Sequence, residues 1–371
     1  MSVFPFNLEG HLTFYLIVYV LTLVLHAVFM TYVLAGSMYL SWASIFPGRQ
    51  TVPRAQSPLA KILREWMPFA LSAAITAGVA PLLFVQIIYR KQFYTSNLLL
   101  GWRWMAVVPV LIVGFYLLYV IKSKMITTWK LRTRLAVVAG VSLCFLFVAF
   151  CWTTNHLLAI SESSWATVYS TGNVIDAAGP LLLRLMTWVS GAFPCMCALA
   201  GWQIVYYSRQ NDHDAAAYSA NVVTLARMSF AGVILSGLFA VGYATTLPGE
   251  VRSSLIGSSG GLWLIAIAAG GILQLNGWWK ASSETRLSGA NNLFISAGAM
   301  LALTGIAFQR EIIRFAYIDA ADVLANTKSA ANIGGFTLFV LSTIFNIGLM
   351  AFCLRLVRSA IAKPKQETTS T

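Results

Sequence analysis

Nine apolar stretches, most of them twenty residues or longer, run through this chain almost without a charge. A helix that crosses the roughly 30 Å hydrocarbon core of a bilayer needs about 20 apolar residues. On that count the spans are Leu12–Ala43, Trp66–Tyr89, Gly101–Ile121, Leu135–Ile160, Pro180–Tyr207, Val222–Leu247, Gly261–Trp279, Leu293–Phe308 and Ile333–Leu356, the eighth being short. Runs this continuous lack the in-out alternation of a barrel strand. Lipid can only be crossed by structures that satisfy their own backbone groups. The expectation is therefore an all-α, polytopic transmembrane bundle of about nine spans.

Basic residues set the expected orientation. With the amino terminus outside, sixteen Lys and Arg fall on the inner side and seven on the outer, among them Arg90, Lys91, Arg103, Arg310 and Arg314. Cytoplasmic loops carry the excess of positive charge, which places the carboxyl terminus in the cytoplasm. The formal charge of +13 is then largely a membrane-surface charge that meets anionic headgroups. No basic stretch interleaved with aromatic residues exists to hold a nucleic acid, and none is expected as a partner. Trp102, Trp104, Trp152 and Trp165 read as belt residues at the outer boundary, and Trp42, Trp66, Trp278 and Trp279 at the inner one.

The first stretch has no basic segment before it and exceeds a signal-peptide core, so it is expected to stay in the protein. Polar connections such as Pro47–Glu65 and Gln309–Asn332 are too short for a soluble module. Residues 1–362 thus read as a single transmembrane domain, and 363–371 as a polar, disordered cytoplasmic tail. Cys144, Cys151, Cys195, Cys197 and Cys353 lie in apolar runs and form no C-x-x-C-H. Covalent haem is not expected on this chain.

Four histidines stand out against this background. His26 lies mid-span with no acidic neighbour within a turn, and an imidazole there needs a partner. It either ligates a haem iron or bonds to a neighbouring helix. His11 and His156 open the first span and close the fourth at one level, and either share a cofactor or face headgroups separately. His213 lies in the polar run Asn211-Asp212-His213-Asp214 and is expected in solvent.

Cations form a second group. Arg184 begins the fifth span and Arg227 lies in the sixth. After the eighth comes Gln309-Arg310-Glu311-Ile312-Ile313-Arg314, read as a short outer helix. Arg310 and Arg314 stand one turn apart with Glu311 between. They could present guanidinium groups to haem propionates or a quinone carbonyl, or form an ordinary interfacial ion pair.

The stretch His26-Ala27-Val28-Phe29 through Leu34-Ala35-Gly36, followed by Thr76-Ala77-Gly78-Val79-Ala80-Pro81 within Phe69–Gln86 and then by Phe93-Tyr94-Thr95, resembles the first two helices of cytochrome bd-type quinol oxidase subunit I. Asn155 with Ser161–Trp165, and Arg310-Glu311-x-x-Arg314-x-x-Tyr317, resemble elements of divergent relatives of that subunit. The resemblance covers about half the chain, discontinuously. It implies that His26 is a haem ligand. The family's G-R-Q-P-W signature and long quinol-binding loop are missing, no glutamate follows the second span, and Arg103-Trp104 stands in that region instead.

The resulting expectation is an electron-transfer subunit in a bacterial inner membrane. It would bind haem b through His26 and His156, or a quinol, beside His11, Arg310, Glu311 and Arg314. Other membrane subunits, and a separate c-type cytochrome on the outer face, would be its partners. A haem-free membrane anchor is the alternative. A transporter ranks third, with Pro81, Pro109 and Pro194 as the candidate helix breaks.

Overall fold

In a computed structural model the protein is described over residues 3–46, 53–123, 129–174, 180–208 and 215–332, with scattered positions beyond 332. The described residues contain helices and no strand. The ninth expected span, His213 and the tail from 363 lie wholly or mostly outside them.

Eight helices are long and apolar enough to cross a membrane. They are α1 (Gly10–Ile45), α2 (Pro58–Ile88), the pair α4 (Trp102–Met105) and α5 (Val107–Lys122), α6 (Leu131–Ala159), α8 (Leu181–Ser208), α9 (Ala215–Thr245), α11 (Gly261–Ser283) and α12 (Gly289–Tyr317). Shorter helices connect them: α3 (Arg90–Leu100), α7 (Trp165–Thr171), α10 (Gly249–Ile256) and α13 (Ala320–Asn332). Helix boundaries follow local chemistry. Ser57 caps α2 by accepting from the Ala60 amide at 3.2 Å with Pro58 in the first turn, and Ser288 caps α12 by accepting from Asn291 at 3.1 Å. Gly101, at a φ of 55°, ends α3 in a conformation a side chain would disfavour.

Helix α1 is the axis of the bundle, packing on α2, α6, α8, α12 and α13. Helices α11 and α12 meet through small residues. A Cβ on Gly270 would stand 2.5 Å from the Gly298 carbonyl oxygen, and one on Gly305 would stand 2.7 Å from that of Trp263. Between membrane helices, where lipid is as apolar as leucine, such backbone approach supplies the packing energy.

Three expectations need correction. The eighth span is not short: α12 runs 29 residues without interruption, so Arg310, Glu311 and Arg314 occupy its last turns and form no separate outer helix. Trp278 does not belong to a belt. It is fully buried, whereas the adjacent Trp279 is 71% exposed, because successive residues on a helix point about 100° apart. Pro81 and Pro194 lie inside continuous helices and break no span, whereas the third span is interrupted at Ala106, between α4 and α5, with Pro109 in the first turn of α5.

Candidate functional site

The ends of α2, α6, α9 and α12 meet the starts of α1 and α8 at one end of the bundle. Their polar side chains converge there. Glu311 is completely buried and Arg314 is 5% exposed. The carboxylate accepts from Arg310 Nε at 2.8 Å, from Arg314 Nη1 at 3.1 Å, and from the Tyr89 hydroxyl at 2.7 Å. The Tyr19 hydroxyl accepts from both arginines, at 2.9 Å from Arg314. The Arg314 guanidinium also lies 4.8 Å from the centre of the Tyr89 ring and that of Arg310 lies 5.5 Å from the centre of the Tyr19 ring.

The network follows from where the helices end. Arg310 and Arg314 are one turn apart on α12, so both reach the same side, and Glu311 between them is aimed inward toward α1 and the end of α2. Tyr19 faces them because the apolar run Leu12-Leu16-Tyr19-Val20-Val24 is the buried face of α1. Gln309, the residue before, donates to the Leu255 and Gly260 carbonyls at 3.1 and 2.8 Å. That ties α12 to the turn between α10 and α11.

His156 lies beside this network. It is 5% exposed, and neither ring nitrogen has a hydrogen-bond partner. Arg184, Arg314 and Arg310 are the charges that act on it. Arg184 is itself 7% exposed and stacks at 4.8 Å over the ring of Tyr243. The adjacent Asn155 turns the other way and donates to Asn97 Oδ1 on α3 at 2.7 Å.

His11 does not join His156. It stands two turns before Tyr19, about 12 Å along α1 at 1.5 Å per residue, and its described contact is Glu9 at 3.8 Å. Glu9 is held in turn by Lys328 at 3.4 Å. Among the described residues no group of three or more His, Cys, Asp and Glu is placed to hold a metal ion. Arg227 is exposed.

His26 forms a separate site on the contact between α1 and α2. Its Nδ1 is 2.8 Å from the Ala74 carbonyl oxygen. A carbonyl only accepts, so Nδ1 carries the proton and Nε2 holds the lone pair. The ring fits there because residue 78 is glycine, where a Cβ would stand 2.9 Å from Nδ1. Ala74 and Gly78 are one turn apart on α2 and together form the seat of the imidazole.

Sequence reasoning selected Arg310, Glu311, Arg314, His156 and Arg184 but missed Tyr19, Tyr89 and Tyr243. A tyrosine inside an apolar span carries a hydroxyl that must find a partner. That signal was present in the sequence. No family model, curated protein or solved structure matches the chain.

Proposed function

We propose that this protein is an integral membrane electron-transfer subunit, akin to the bd-type subunit I, that holds haem b through His26. The observation that carries the reading is the paired role of the two ring nitrogens. Nδ1 donates to a backbone carbonyl at 2.8 Å, which leaves Nε2 as a metal-ligating lone pair, the arrangement by which ligating histidines are oriented. Through that lone pair His26 would hold the haem iron. A haem bound there would carry one electron at a time; the chain's own part is to fix the tautomer through Ala74 and to clear space with Gly78.

At the other site, the arginine pair on α12, Arg314 buried and Arg310 half-buried, is suited to a propionate or a quinone oxygen, since a planar guanidinium offers parallel donors to such an acceptor. The proposed orientation in a bacterial inner membrane, amino terminus outside, is supported by the excess of Lys and Arg on the inner side. Electrons would pass to other membrane subunits or to a c-type cytochrome on the outer face.

The test is a reduced-minus-oxidised spectrum of the purified protein. A b-type α-band is expected, and His26→Ala should remove or shift it while the protein remains inserted. No haem in the wild type, or an unchanged spectrum in His26→Ala, overturns the reading. The second reading, a haem-free membrane anchor, is favoured by one observation: the Glu311 carboxylate is fully occupied by the chain's own donors, as a structural clamp would be.

A further inference from the structure

Among the described residues, cations outnumber carboxylates at the His156 end of the bundle. Arg310 and Arg314 share the single carboxylate of Glu311. Arg184 has no carboxylate partner among the described residues, and meets the Tyr243 ring instead. All three cations act on His156, and Arg184 also feels Arg310 and Arg314. Among the described residues, three guanidinium groups meet one carboxylate. Burying a charge without a counterion is strongly disfavoured.

Hydrogen-bonding capacity is unused at the same place. Both nitrogens of His156 and Nε of Arg314 are buried without partners. Native proteins leave few such groups, and a cluster of them calls for a ligand or ion. The depth of the site narrows what that ligand is. Helix α1 has 36 residues, so it is about 54 Å long at 1.5 Å per residue against a hydrocarbon core of about 30 Å. Tyr19 lies about 14 Å from its start, which, for a centred helix, is the boundary between hydrocarbon and headgroups.

We infer that His156, Arg184, Arg310 and Arg314 form a binding site for the oxyanion end of an amphipathic ligand, a phosphate or carboxylate at headgroup level whose apolar body lies in the hydrocarbon. Each guanidinium brings paired N–H donors that match two oxygens of such a group. The imidazole of His156 adds an N–H donor. An anionic phospholipid and the carboxylates of a porphyrin share this chemistry. The site does not rest on haem ligation by His26.

The experiment uses the full chain, purified in detergent and stripped of lipid and pigment. Its thermal unfolding midpoint is measured with short-chain phosphatidylglycerol, with hemin, and with short-chain phosphatidylcholine as the neutral reference. At least one anionic probe should raise the midpoint by several degrees more than phosphatidylcholine does. The shift should be at least halved in Arg184→Gln and in His156→Phe, and kept in Arg252→Gln, an exposed position on α10. A phosphatidylglycerol response identifies the lipid source. A hemin response that persists in His26→Ala identifies porphyrin carboxylates at this site.

A hemin response lost in His26→Ala but untouched by Arg184→Gln belongs to His26, and with no phosphatidylglycerol response it overturns the inference. So does a shift of equal size for all three probes, or an anionic shift unchanged in Arg184→Gln. Should Arg184→Gln not fold, Arg184→Lys keeps the charge and loses the two-pronged fork. It is expected to retain only part of the shift, and a full shift overturns the site.

Discussion

His26 and His156 are both imidazoles in apolar helices, yet their surroundings differ in kind. His26 is half-buried between two helices, with one nitrogen bonded to a backbone carbonyl and no charge among its described contacts. His156 is enclosed, unpartnered at both nitrogens, and lies within the electrostatic reach of three arginines. The first is oriented by the chain itself. The second is placed in a field of positive charge that its own helix does not supply, since Arg184 comes from α8 and the others from α12. A buried imidazole therefore reports its function through what its second nitrogen meets, and residue type alone says little.

The comparison is broken most forcefully at Glu311. Glu311→Gln should cost about 3–5 kcal/mol of stability, because removing one partner leaves the buried Arg314 and the half-buried Arg310 uncompensated. Denaturant unfolding of the purified protein measures it. A loss under 1 kcal/mol would mean that the arginines reach water or another anion, and the contrast with His26 would weaken.

Tyr89→Phe is the next step down. It deletes only the hydroxyl that donates to Glu311 at 2.7 Å and should cost about 1.5–3 kcal/mol, the range for hydrogen bonds to charged groups. The same unfolding experiment should give additive effects for Tyr89→Phe and His26→Ala, and non-additive ones for Tyr89→Phe and Glu311→Gln. Groups in one network couple, whereas groups without shared partners do not.

At His26 the expected change is smaller in stability and larger in spectrum. His26→Ala loses one neutral hydrogen bond, about 0.5–1.5 kcal/mol. Gly78→Ala, which puts a methyl group against Nδ1, should displace the ring and shift any b-type band without abolishing insertion. An unchanged band in Gly78→Ala would show that the ring has another place to sit.

The smallest effect is expected at the exposed pair Lys91–Glu162, 3.0 Å apart with side chains 58% and 40% exposed. Lys91→Gln should change stability by no more than about 1 kcal/mol, since solvent and salt screen such pairs. It serves as the reference for what a charge in water contributes.

Several elements were legible before any coordinates. The helical class and the positions of the long spans follow from apolar run length, because a chain in lipid has few ways to satisfy its backbone. His26 was legible because a lone imidazole in an apolar run is conspicuous, and Arg310, Glu311 and Arg314 because their spacing places them on one helix side. Hydropathy misjudged where α12 ends. Charged residues lower the local average, so Gln309 to Arg314 read as a loop-side helix when they are the buried last turns of the span.

What the sequence by itself determined is the kind of solvent this protein lives in, the helical elements that solvent demands, and the few polar residues that demand an explanation. Only the tertiary structure decided which of those residues meet. Tyr19 and Glu311 are 292 positions apart, yet both hydrogen-bond Arg314, and Ala74 with Gly78 seats His26 from a different helix. Apolar periodicity carries no information on which helix face turns to which neighbour. That choice is made by side-chain packing, by glycine-sized gaps, and by the need of each buried charge and hydroxyl to find its partner.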